Sequence, residues 1–501
     1  MNHRSRRIRL LAFSAILLTI LPVNLSNIVG VTSSLPTYID EYVVPTPNSA
    51  PLAITVDRQG IVWFTESNVS KLGRFDPATQ TFNEYVVPGA GDMWGVTVDE
   101  NNYVWLTQYS GTASVNPGGA IAPGGFGQII RFDPSTKNFT SVNIPTPGSF
   151  PMRLTVDNRN RVWFTEFLGN KIGVYDQSLN RLLEFPVPTN SSGPADLTFD
   201  ENGALWFTEA YARKIAKFYP ENRTFIEYSV ESVAFSPMGV AVDPQGDVWF
   251  ADHGGNWIVE LEPNSKKLTR YPTHFPPSQV SYLSISNGLL IDGEERIWFS
   301  EHGGNSIAYF SAKTEKMVEF PIPTGPISTA LWIALAPSGD VWFAEWDANK
   351  IGVVHSNVPI TISLTVSAYR LRIQAGNQTS LSLLVKASQQ IEGNGTFRYT
   401  WTSYYPEEIS ATFMPQYPKL SETTGRVELG FSNSIRPGSY VLGIGIDTGT
   451  VRVWNMIRTE VIPREQANTP IIESSILLVV IFLLLAAALV GLYKRTRSRH
   501  D

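Results

Sequence analysis

Seven times along the chain a tryptophan is followed by phenylalanine or, once, leucine inside an apolar run: at Trp63, Trp105, Trp163, Trp206, Trp249, Trp298 and Trp342. The intervals are 42, 58, 43, 43, 49 and 44 residues. A period in the low forties is the length of one four-stranded propeller blade. The first copy shows the internal plan. LAITV (52–56) reads as a strand, Asp57 to Gly60 as a turn, IVWFTE (61–66) as a second strand, KLGRFDP (71–77) as a third and FNEYVVP (82–88) as a fourth. Gly, Asn, Asp and Pro punctuate the runs, and the 3.6-residue period of a helix is absent.

Closure follows from counting. The fourth-strand phrase also occurs seven times, but its first copy, IDEYVVP (39–45), precedes any Trp-Phe strand. The last Trp-Phe unit ends at KIGVVHSNVP without a fourth strand of its own. The first phrase is therefore expected to complete the last blade, which removes the open edges of a linear array. The expectation is an all-β chain with a closed seven-bladed propeller over residues 37–356. Residues 357–462 lose the Trp-Phe phrase and carry short alternating strands such as TISLTV, SLSLLVKA and YVLGIGI. That pattern suggests an immunoglobulin-like β-sandwich serving as a stalk.

The two ends set the location. Arg4, Arg6, Arg7 and Arg9 precede the apolar run Leu10 to Val23, so residues 1–30 read as a signal sequence or an N-terminal anchor. Residues 463–470 read as a linker and 471–493 as one C-terminal transmembrane helix. The basic tail 494–501 then lies in the cytoplasm and the bulk of the chain outside the cell, at the cell membrane. With the basic ends set aside, the acids outnumber the bases and the exterior part is acidic, which argues against nucleic acid as a partner. There is no cysteine, which excludes disulfides and thiolate chemistry.

The repeated phrase, an inner strand, a D-x-x-G turn, WFTE, N-K-I-G and a closing EYxVP strand, resembles the streptogramin B (virginiamycin B) lyases. More loosely it resembles the gluconolactonase-like and NHL-type propellers. The resemblance implies a metal-dependent lyase that uses a Glu-x-His just before one inner strand, a His at the same place on the preceding blade, and a Glu ending a Trp-Phe strand. Here the last of these is Glu345. Thr329 and Leu331 stand where the Glu-x-His would be, and Asn287 stands on the preceding blade.

Other residues offer a site of their own. An acid ends the Trp-Phe strand on six blades: Glu66, Glu166, Glu209, Asp252, Glu301 and Glu345, with Gln108 on the other. Its plainer reading is a repeat feature that binds loop amides. Two of these acids precede a histidine and a di-glycine, in DHGGN (252–256) and EHGGN (301–305). His274 lies in the connection between those two blades. His253, Glu301 and His302 are the candidate catalytic groups, and His274, Asn256 and Asn305 candidate ligand-binding groups. Asp252, Glu301 and Glu345 are candidate ligands for a divalent metal, Mg, Mn or Zn. The competing reading is that these are ordinary loop residues, with Asn serving a turn of positive φ. A Gly- and Ala-rich insertion, 109–128, emerges on the same face.

Two functions follow. The first is a membrane-anchored recognition module for an external small molecule, glycan or surface protein. The second is a divergent metal-dependent lyase or lactone hydrolase.

Overall fold

The computed structural model describes residues 35–463 apart from 90, 111–124, 274–285, 326–327, 389–390, 392 and 403–407. The expected N-terminal signal or anchor, the transmembrane helix, the basic tail, His274 and most of the 109–128 insertion lie outside the described residues. Among the described residues no helix is long and apolar enough to cross a membrane.

Seven antiparallel four-stranded blades follow one another along the chain. Blade one consists of Pro51–Val56, Val62–Glu66, Lys71–Asp76 and Thr81–Val86. Blades two to six repeat that order, with innermost strands Val96–Val98, Pro151–Val156, Pro194–Phe199, Pro237–Val242 and Ser286–Ile291. Blade seven takes Ala330–Leu335, Val341–Glu345 and Lys350–Val354 from the end of the repeat and Ile39–Val43 from its start. Ile39 pairs with Val354 and Val43 with Lys350. Each inner strand touches the next, and that of blade seven touches that of blade one, so the ring is closed.

The WFTE phrase can be read residue by residue. The indole N–H of Trp63 donates to Asp57 Oδ2 at 3.0 Å, while Asp57 Oδ1 accepts the amides of Gln59 and Ile61. One carboxylate thus caps the turn and satisfies a buried indole. Phe64 lies against the third strand at Gly73, where a methyl group would meet its Cζ at 2.2 Å. Thr65 Oγ1 accepts the amide of Ala53 and donates to the carbonyl of Met93 on blade two, and Thr165 and Thr208 clasp their next blades likewise. All five residues Val62–Glu66 are buried, as expected of a strand covered on both faces.

The C-terminal unit has two sheets. One is Ile362–Val366, Gln378–Ala387, Glu422–Phe431 and Ile409–Met414. The other is Thr396–Trp401, Gly438–Asp447 and Arg452–Ile462, with Arg370–Gln374 parallel to the last. Leu364, Leu383, Val427, Phe397 and Ile444 lie in one buried cluster between them. The sequence suggests a stalk set apart from the ring, but the two regions share a sheet. The outer strand of blade six, Lys316–Pro321, pairs with Arg452–Asn455. Its interior residues Met317 to Phe320 are buried, whereas the outer strand of blade one, Thr81–Val86, is exposed or half-buried throughout.

Candidate functional site

Connections between second and third strands, and those entering each inner strand, emerge on one face of the ring. The acids ending the second strands stand at its rim. Glu66, Glu166, Glu209 and Glu345 are completely buried. Burial first, and then a fourth-strand carboxylate beside each, pushes Glu66 and Glu209 up to about 7. The same causes push Glu166 and Glu345 up to about 8. Their neighbours Glu84, Glu184, Glu227 and Glu41 go the other way. Burial alone would raise them, but hydrogen bonds from a threonine and a lysine outweigh it and hold them below the ordinary value.

In blade one, Lys71 Nζ lies 3.1 Å from Glu84 and 2.7 Å from the hydroxyl of Thr46, which leaves blade seven. Blades three, four and seven repeat this column with Lys171, Lys214 and Lys350. The rim acid thus recurs beside the same lysine and fourth-strand glutamate on four blades, Glu345 among them.

Blades five and six depart from the column. Ser306 replaces the lysine of blade six, and Arg452 from the C-terminal unit takes over, 3.1 Å from the buried Glu319 and 3.0 Å from Ser306 Oγ. In blade five Trp257 replaces the lysine and Arg270 the acid, with the guanidinium 4.8 Å over the indole. At the turns of these two blades the structure brings His253 and His302 together, their Nε2 atoms 3.3 Å apart. Burial pushes both imidazoles below their ordinary value, and His253 assists in pushing His302 to about 3.

The carboxylates proposed beside them as metal ligands are not arranged as a cluster. Among the described residues no three His, Asp or Glu side chains converge to hold a metal. Asp252 Oδ1 accepts the amides of Phe235 and Ser236, at 2.9 and 2.7 Å, so this acid shapes the loop before its blade. Glu345 belongs to blade seven and its column. Glu301 is buried at the end of the blade-six strand. Asn305 is likewise committed: its amide donates to the carbonyls of Ile322 and Thr324 and accepts the amide of Ser328. Asn170 and Asn349 make the same clasp, so Asn305 fastens its turn as those two fasten theirs. Asn256 and Asn305 have φ of 58° and 50°, the left-handed turn that the sequence suggests.

The channel is filled below this face. Arg153 of blade three lies 4.0 Å over the ring of Trp332 of blade seven and donates to Asp196 of blade four at 3.3 Å. Above it runs a row of aromatic rings that the sequence reading missed. Trp346 meets Trp94 at 6.1 Å, Trp94 meets Phe150 at 5.8 Å, Phe150 meets Phe167 at 6.3 Å, and Phe167 meets Tyr211 at 4.9 Å. Tyr211 is 57% exposed, and beyond it Arg213 lies over Phe235, itself 42% exposed. Leu331, at the place of the expected catalytic histidine, is nearly buried in the same apolar cluster. The Thr329 hydroxyl donates to Asp347.

The virginiamycin B lyase family matches residues 127–375. The selenomethionine-substituted virginiamycin B lyase of Staphylococcus aureus superposes with a TM-score of 0.54 at 23% identity, covering 64% of this chain and 99% of that one. The ring is a virginiamycin B lyase-like propeller. A streptogramin B lyase structure gives 0.54 at 24% identity, over 64% and 97%. A catalytically inactive variant of the S. aureus enzyme with quinupristin gives 0.54 at 23%, over 64% and 99%. No curated protein matches the chain. The lyase-like propeller of this chain keeps a glutamate at residue 345 but has leucine, threonine and asparagine at 331, 329 and 287, where the resemblance calls for His, Glu and His.

A second concavity lies off this face. A cleft of about 680 Å³ separates blade five from the C-terminal unit and is lined by Lys267, Arg270, Arg370, Arg372 and Arg458. Lys267, Arg372 and Arg458 already pair with Glu262, Glu460 and Glu315.

Proposed function

We propose that this chain is a recognition module, a lyase-like propeller that binds an external molecule without transforming it. The observation that carries this reading is the row of rings from Trp346 to Tyr211, laid across the loop face over a filled channel. Aromatic side chains supply a large contact area at low conformational cost, which suits a flat or cyclic ligand. The apolar Leu331 at the family's base position supports binding over turnover. In this reading residues 1–30 direct export or anchor the chain. Residues 357–462 form an immunoglobulin-like unit bound to the ring, and 471–493 cross the membrane with 494–501 in the cytoplasm. An external small molecule is the ligand best suited to the rings, ahead of a glycan or a surface protein.

The second reading, a divergent lyase or lactone hydrolase, is favoured by one observation: Glu345, pushed up to about 8, keeps a proton near neutrality and is able to act as a general acid. A cyclic lactone peptide such as quinupristin separates the two. Titrated into the full chain in detergent, it is expected to quench tryptophan fluorescence saturably and to be recovered intact. Trp94→Ala and Tyr211→Ala are expected to weaken binding about tenfold, the loss of one or two stacked rings. Ring-opened product accumulating with protein concentration would sink the recognition reading. Binding indifferent to both substitutions would remove the aromatic row from it.

A further inference from the structure

We infer that His253 and His302 form a two-histidine site for a zinc-class metal ion, bridging blades five and six on the loop face. The turn position after the rim acid holds Ser67, Phe167, Ala210 and Trp346 on blades one, three, four and seven, and histidine on these two neighbours. Their Nε2 atoms point at each other across 3.3 Å, with ring centroids 5.3 Å apart. Zinc held tetrahedrally at about 2.0–2.1 Å from two imidazole nitrogens sets those nitrogens about 3.3–3.4 Å apart. The observed separation is the edge of that tetrahedron. Without metal, the two rings share one Nε2–H across the same distance.

The two turns are built to hold the rings. Asp252 fixes the blade-five turn through the amides of Phe235 and Ser236, and the His253 amide itself donates to the Ser236 carbonyl at 2.9 Å. His302 is 6% exposed, so its ring is held by packing. Neutral imidazoles select zinc, nickel or copper over magnesium. Two protein ligands leave two positions for water or for a nitrogen or oxygen donor of an incoming molecule. The site is separate from the aromatic row and stands whether the propeller binds or transforms its ligand.

The test is calorimetric titration of Zn²⁺, with Mg²⁺ as comparison, into the chelator-stripped full chain in detergent. One Zn²⁺ per chain is expected, with no competition from Mg²⁺. His253→Ala and His302→Gln are each expected to weaken it at least about tenfold, since each removes one of two ligands. His355→Ala, at a histidine paired with Asp40 elsewhere on the ring, is expected to leave it unchanged. Should a variant melt differently without metal, the wild-type chain decides through Co²⁺, whose visible absorption marks a tetrahedral site. Failure of wild type to bind Zn²⁺ stoichiometrically, equal loss in His355→Ala, or absence of the Co²⁺ absorption would overturn the site. Aromatic-row variants that still bind Zn²⁺ would keep it distinct from the recognition reading.

Discussion

In blade one the rim carboxylate Glu66, Lys71 and Glu84 form a column drawn from a single blade, fastened to its neighbour through Thr46. In blade six the lysine's place is Ser306, and the cation arrives as Arg452 from the C-terminal unit. The comparison teaches that charge balance is kept in the column and not residue by residue. Where the repeat lacks its own cation, another part of the chain must supply one, and the two parts become mechanically joined. Blade five takes a third course: it exchanges the acid for Arg270 and sets it on Trp257.

The largest effect should come from Arg452→Met. It removes the guanidinium that pairs with both the buried Glu319 and Asp447, a loss of roughly 3–5 kcal/mol in a urea titration. Lys71→Met, at a partly exposed pair, should cost about 1 kcal/mol or less. Equal costs would break the comparison.

Next is pH. Glu345 has a native pKa of about 8 against 4.5 unfolded, so the native state holds a proton that the unfolded chain gives up. Stability therefore falls as pH rises from the lower value through the higher. Glu41, held below 4.5, contributes stability present above that value and lost as pH falls through its native one. Glu345→Gln should gain on the order of 1–3 kcal/mol at pH 8 and little at pH 5. A gain of the same size at both would show that the column, not the proton, sets the effect.

The smallest effect concerns blade seven, where Ala336 occupies the place of the turn aspartate and Trp342 lacks the partner that Trp63 has in Asp57. Ala336→Asp should add about 0.5–1.5 kcal/mol through the restored hydrogen bond. A loss would mean that blade seven has repacked around the alanine.

The ring was legible because its signals are local and periodic: the Trp-Phe spacing, the Asp turn, and the missing fourth strand that Ile39–Val43 supplies. The histidine pair was legible as a shared turn position. Other features join residues with no common spacing. Arg452 and Glu319 are 133 positions apart, and only Ser306, at a column position that four blades fill with lysine, hints at them. Arg153 and Trp332 come from blades on opposite sides of the channel. The aromatic row mixes two places in the repeat: Trp94 and Phe150 precede inner strands, while Phe167, Tyr211 and Trp346 lie in turns. For Asp252 and Asn305 the sequence left two readings open, because a polar side chain in a loop gives the same letters whether it faces a ligand or its own backbone.

The closing strand also has a history in time. Glu41 and its partner Lys350 are separated by 309 positions. At about 5–20 residues per second, a ribosome needs ~15–60 s to pass from one to the other. Throughout that interval the strand has no sheet to join, and the growing stack of blades keeps two open edges. Ring closure is thus a late event, and a nascent chain halted before Val354 has nothing for Ile39 to pair with. Whatever keeps that strand from pairing elsewhere in the meantime acts on a segment made before every other strand of the ring and placed only with the last blade.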